Sequence, residues 1–176
     1  SAAVVTFVSG GVVSTTDGGT VSGGTYAGSG TGKLTVTASA CAAIIKKACT
    51  AMKTMTSGGD DYLAEEMGKG FRKMADDGVV TTTVTGVLTP PSPATPISPY
   101  GGVAKGTISC SETNLVTKLK ALFQKMYNQR EQEGFDGNKE FAKVLANEIN
   151  SFYTSGTIST NGQGNIAGSS GSGAIS

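Results

Sequence analysis

With 176 residues, of which 26 are glycine and only 15% are charged, the chain can form one domain, or two small ones, around a modest core. It contains no histidine, so the side chain that titrates near neutral pH and most often ligates metals is absent, and Ser-His-Asp or Cys-His catalysis is impossible. Fourteen Lys and Arg against thirteen Asp and Glu leave a formal charge of +1, too weak a field to hold a phosphate backbone or an anionic membrane surface.

At the N-terminus, Ser1-Ala2 reads as a start from which Met has been removed, without the basic start and apolar core of a signal peptide. No stretch reaches the ~18 uninterrupted apolar residues of a membrane span, so a soluble chain made in the cytoplasm is expected. Residues 1–36 are expected to form an N-terminal β-hairpin arm. Its first strand signature is Gly11-Val12-Val13-Ser14-Thr15-Thr16, a β-branched run, and its second is Gly32-Lys33-Leu34-Thr35. The Gly28-Ser29-Gly30-Thr31-Gly32-Lys33-Leu34 stretch invites comparison with a phosphate-binding loop. Ala27 stands where that loop needs its first Gly and Leu34 where it needs Ser or Thr, so a glycine-rich turn into a strand is the better reading.

Residues 37–109 are expected to hold a first helical pair and a Pro-rich β-hairpin. Helical spacing over 38–55 puts Cys41, Ile45, Ala48, Cys49 and Met52 on one face, and over 61–76 it aligns Leu63, Met67, Phe71 and Met74. Asp60 and Asp61 are candidate N-caps, and Gly68 and Gly70 should each weaken the second helix by roughly 1 kcal/mol relative to Ala. The carboxylate pairs Asp60-Asp61, Glu65-Glu66 and Asp76-Asp77 read as capping, turn and solvent-facing groups, since no His or repeated loop spacing accompanies them to suggest a cation site. The strand signature returns as Gly78-Val79-Val80-Thr81-Thr82-Thr83 and closes in Gly106-Thr107-Ile108-Ser109. Between them, residues 90–99 hold all five prolines, an extended connection with few ladder donors.

Residues 110–176 are expected to hold a second helical pair and a Gly-rich C-terminal arm. Shifting the first helical face by 74 gives Leu115, Leu119, Leu122, Phe123 and Met126 in a helix over 112–131. Shifting the second by 78 gives Phe141, Leu145, Ile149 and Phe152 over 138–153, with Asp136 or Asn138 as N-cap. The difference in shift implies about one extra helical turn. Lys118, Lys120, Lys125 and Arg130 read as a solvated helix face, and the five methionines as core filling. The strand signatures recur once more as Gly156-Thr157-Ile158-Ser159-Thr160 and Gly173-Ala174-Ile175-Ser176. Cys41 and Cys49 lie roughly 12 Å apart along one helix and cannot bridge there. Free packed thiols are expected, the sharper alternative being an intermolecular disulfide through Cys110.

The expected fold class is therefore α+β: two αα-hairpins forming a pseudo-repeated helical bundle, flanked by three Gly/Thr-rich β-hairpins or extended arms. Residues 1–36, 78–109 and 155–176 contain only three charges, Asp17, Lys33 and Lys105. Exposed strand edges are normally protected by charge. Such segments can close among themselves, remain disordered linkers, or pair with neighbouring chains, the last being favoured here. The interface expected on that basis comprises Val12, Val13, Val79, Val80, Val84, Ile108, Ile158, Ile166 and Ile175.

The helix followed by Asp77-Gly78-Val79-Val80-Thr81-Thr82-Thr83-Val84-Thr85-Gly86 and by Ala104-Lys105-Gly106-Thr107-Ile108, with its echo in residues 155–176, resembles small virion proteins of tailed bacteriophages. That resemblance implies a non-enzymatic tail, neck or head accessory subunit located in the virion, which partners copies of itself and other virion proteins. No catalytic, cofactor-binding or metal-binding residue follows from it, and no cofactor, nucleic acid, membrane or small-molecule substrate is expected. The alternative is a binding module that presents the Pro-rich and Gly-rich loops to a receptor or glycan.

Overall fold

A computed structural model describes residues 2–176; Ser1, and with it the expected processed start, lies outside them. The elements in chain order are α1 (Ala2–Gly10), β1 (Val13–Val21), β2 (Gly24–Thr35), α2 (Ser39–Met52), α3 (Gly59–Asp76), β3 (Val79–Thr89), β4 (Ile97–Ser109), α4 (Thr113–Gln129), α5 (Gly137–Thr154), β5 (Thr157–Gln163) and β6 (Ser170–Ile175).

The structure overturns the expectation of a helical bundle with β-arms. The six strands form one closed antiparallel barrel in the order β1-β2-β3-β4-β5-β6, with β6 pairing back onto β1. Closure gives both edges of every strand a partner within the chain, which removes the edge problem that favoured pairing between chains. Residues 155–176 are accordingly two barrel strands, not a detachable arm. The helices cover one end of this barrel and share its core: Leu34, Val80, Ile108 and Ile158 belong to the same buried cluster as Phe71, Met74, Leu115, Leu119 and Phe152. Each helical pair is inserted between the end of one hairpin and the start of the next, so all helices meet the same end. The turn at residues 22–23, the Pro-rich loop and the turn around Gly164–Ile166 lie at the other.

The three stretches 1–36, 37–109 and 110–176 each give the barrel one hairpin, and the registers repeat threefold. Val13 pairs with Gly32, Val80 with Gly106 and Ile158 with Gly173 within the hairpins. Between hairpins, Leu34 pairs with Val80, Ile108 with Ile158 and Ile175 with Val13. These six aliphatic residues form a ring beneath the helices, each 8% exposed or less. Burying each contributes about 1.5–3 kcal/mol.

A barrel of eight strands is just wide enough to be filled by side chains, and six strands leave less room. This explains the glycines of the repeated signatures. A Cβ on Gly32 would lie 1.9 Å from the Thr81 carbonyl oxygen, one on Gly106 1.8 Å from that of Ser159, and one on Gly173 1.9 Å from that of Ser14.

Four helices occur close to the expected spans, and their apolar faces turn inward. Asp136 caps α5, its carboxylate accepting from the Lys139 N–H at 3.0 Å. α3 is instead preceded by Gly58 in the left-handed region, and neither Asp60 nor Asp61 caps it. The extra turn of the second unit lies in α4, which has 17 residues against 14 in α2. α1 replaces the beginning of the expected N-terminal hairpin arm. It is uncharged and mainly apolar, with only Thr6 and Ser9 on its polar side, so it carries little of the charged face by which amphipathic periodicity is recognised.

Candidate functional site

Below the aliphatic ring, the repeat places Thr15, Thr82 and Thr160 at equivalent positions facing the barrel interior, opposite Gly173, Gly32 and Gly106. All three threonines are buried. One layer further in lies the barrel's single interior charge, Asp17, 2% exposed, where the other two sectors have Val84 and Gly162. Thr15 Oγ1 donates to Asp17 Oδ2 at 2.5 Å, and Thr160 Oγ1 to Oδ1 at 3.0 Å. Glycines on both neighbouring strands make room for the carboxylate: a Cβ on Gly30 would lie 3.2 Å from Oδ2, and one on Gly171 2.1 Å from Oδ1.

The hydroxyls of Thr82 and Tyr26 find no hydrogen-bond partner among the described residues. Burial, and then the charge of Asp17, push the Tyr26 hydroxyl above its ordinary value. The aliphatic ring seals this network on one side, and Val21, Tyr26, Leu88 and Ile166 seal it on the other. A substrate cannot reach it, so what the network can do is fix the packing of the barrel interior.

The outer wall carries the barrel's solvent-exposed side chains. Its charged residues on the strands are Lys33 and Lys105, which flank Thr81 across the sheet. Elsewhere, a row of hydroxyl residues in direct cross-strand register crosses the six strands without closing on itself, since Thr85 pairs onward with Gly101: Thr107, Ser159, Ser172, Thr16, Ser29 and Thr85. Beside it stand Val79, Val87, Ile97 and Val103, each at least 38% exposed. Period-two alternation produces this wall, since the interior positions take most of the apolar residues, the glycines and the buried threonine layer, while the exterior takes mainly Thr, Ser and Val.

Of the nine interface residues expected from sequence, only Val12 and Val79 face solvent. Val13, Val80, Val84, Ile108, Ile158, Ile166 and Ile175 lie in the interior, where they pack on one another and offer no neighbour a surface. The alternation in 79–84 was visible in the sequence, but the face that would be solvated depends on whether the sheet closes. Asp17 and the threonine layer were not expected; their signal was the alignment of Thr15, Thr82 and Thr160 in the three signatures, with a charge two residues after only the first.

The remaining motifs resolve into structure. Residues 28–34 run through the middle of β2 with no helix opening after Lys33. Glu65 pairs with Lys120, Glu66 with Lys69, Asp76 with Arg72 and Asp77 with Lys73. No group of three or more metal-ligating side chains occurs among the described residues, and none of their helices is long and apolar enough to cross a membrane. Cys110 is buried, its thiol pushed up to about 11 by burial and then by Asp76, with Arg72 opposing. An intermolecular disulfide through it would require the helical end to open. Cys41 is also buried, whereas Cys49 is exposed. Comparison with known proteins finds no matching family model, no matching curated protein and no matching solved structure.

Proposed function

We propose that this chain is a non-enzymatic structural subunit of a symmetric assembly, of the kind that builds bacteriophage particles, and that it meets its neighbours through the outer wall of the barrel. The observation that carries this reading is the near absence of charge on that wall. A soluble monomer commonly displays charged residues over about a quarter to a third of its surface. Here a six-residue hydroxyl row and four exposed aliphatic side chains accompany only two lysines on the strands. Because the strands pair within the chain, neighbours would be joined by side-chain packing and hydroxyl hydrogen bonds, not by completing a sheet. The resemblance of residues 77–86 and 104–108 to small virion proteins supports a particle component.

The test places charge on the wall without touching the interior. Ser29→Lys and Thr85→Glu substitute outward-facing positions of β2 and β3. Sedimentation and electron microscopy should show ordered multimers of the parent and their loss in the variants, with circular dichroism unchanged. Variants that assemble as the parent does would refute the wall as the contact surface.

A further inference from the structure

The prolines of the β3–β4 hairpin follow a short repeat that neither the barrel core nor its wall uses. Thr89-Pro90, Ser92-Pro93, Thr95-Pro96 and Ser98-Pro99 place a hydroxyl residue directly before a proline at every third position, with Pro91, Ala94 and Ile97 between them. All four hydroxyl residues are exposed, at the end of the barrel opposite the helices.

The fold separates the four positions. Thr89 ends β3, where it pairs with Thr25 of β2, and Ser98 lies within β4. Ser92 and Thr95 stand between the strands, in residues 90–96, which pair with no strand. The backbone bond there is local, from the Ala94 N–H to the Pro91 carbonyl at 3.3 Å. Neither hydroxyl makes a hydrogen bond among the described residues, whereas those of Thr50, Thr117 and Thr154 are tied to carbonyls of their own helices.

We propose that Ser92 and Thr95 are modification sites that carry O-linked sugar. A glycosyltransferase must draw an extended acceptor segment into its cleft. The hydroxyls of the wall sit on strands bonded along both edges, so presenting them would mean opening the barrel. Residues 90–96 have no ladder bonds to break, and each proline lacks an N–H and holds the residue before it in extended backbone. The loops of the helical end do not match: residues 130–136 contain no hydroxyl side chain, and Thr54, Thr56 and Ser57 have no proline beside them. Ser and Thr interleaved with Pro is also the composition of O-glycosylated stalks.

Charge decides between a sugar and a phosphate. A phosphoryl group adds about −1.5 to −2 charge and acts through pairing with Lys or Arg. Residues 86–104 contain no charged side chain, and neither do the other turns at this end, residues 22–23 and 164–169. A neutral sugar needs no counter-charge and would hydrate an end where Val87 and Ile97 are exposed without any ionised group nearby. In the transfer, the side-chain oxygen attacks the anomeric carbon of a nucleoside-diphosphate sugar. A C–O bond forms as the bond from that carbon to the diphosphate breaks, the nucleoside diphosphate leaves, and the hydroxyl proton passes to a base of the transferase. The modification lies away from Ser29 and Thr85 and does not depend on contacts made through the wall.

Mass spectrometry of the full chain, purified from the cells that naturally make it, should show hexose or N-acetylhexosamine increments located at Ser92, at Thr95 or at both. A Ser92→Ala, Thr95→Ala chain expressed in the same cells should lose those increments with its circular-dichroism spectrum unchanged, as expected of exposed loop positions. A native chain of unmodified mass, sugar found only at other residues, or increments that a phosphatase removes would overturn the assignment.

Discussion

Thr15, Thr82 and Thr160 occupy one position of the repeat but hold different hydrogen-bond states. Thr15 and Thr160 donate to the buried Asp17, while the Thr82 hydroxyl is buried without a partner. The same substitution should therefore act with opposite signs. Thr82→Val removes an unsatisfied hydroxyl while keeping the side-chain shape, and should raise stability by about 1 kcal/mol. Thr15→Val and Thr160→Val each take a donor from a carboxylate sealed away from water, and should lower stability by about 1.5–3 kcal/mol. Urea denaturation of the three variants checks this, and a shared sign would show that the hydroxyls do not differ as described. The equivalence of these threonines was present in the repeated signatures, but the burial of Asp17 was not, because a lone charge in a Gly/Thr run carries no mark of burial.

At the scale of elements, the helical stripes were legible because period-3.6 spacing depends only on local geometry: Leu115, Leu119 and Leu122 are buried as the spacing requires. The glycines of α3 were legible only as a cost. In the folded chain they are where α3 meets its neighbours. A Cβ on Gly68 would lie 2.3 Å from Val116 Cγ2 of α4, and one on Gly70 would lie 3.2 Å from Cys41 Sγ of α2. Gly68→Ala gains about 1 kcal/mol of helix propensity but overpacks the crossing by about 1–3 kcal/mol. Net destabilisation is expected, with recovery in the Gly68→Ala, Val116→Ala double variant as the overlap is removed. A double-mutant cycle on thermal unfolding reads the coupling; additive effects would mean that α3 and α4 do not approach closely at Gly68.

The whole molecule divides into a barrel whose charge-poor wall is held by strand pairing and a helical end whose neighbouring helices are tied by charge. The sequence showed this partition as a contrast in composition. It did not show closure, because the pairing of β6 with β1 joins residues near opposite ends of the chain and leaves no local pattern. Arg72 of α3 donates to Glu112 just before α4 at 2.9 Å, Lys120 of α4 to Glu65 of α3 at 2.7 Å, and Lys125 of α4 to Glu140 of α5 at 2.5 Å. In each case the hydrogen bond from the basic partner is the main cause that holds the glutamate below its ordinary value of 4.5. A carboxylate with a lowered folded value contributes stability above its unfolded value and loses it as pH falls through the folded one. Acidification from neutral pH to about pH 3 should therefore lower the melting temperature by loosening α3, α4 and α5. A Glu65→Gln, Glu112→Gln, Glu140→Gln variant should start less stable at neutral pH and lose less over the same interval, since its three pairs no longer titrate. Equal acid losses in parent and variant would place the acid sensitivity outside the helical end.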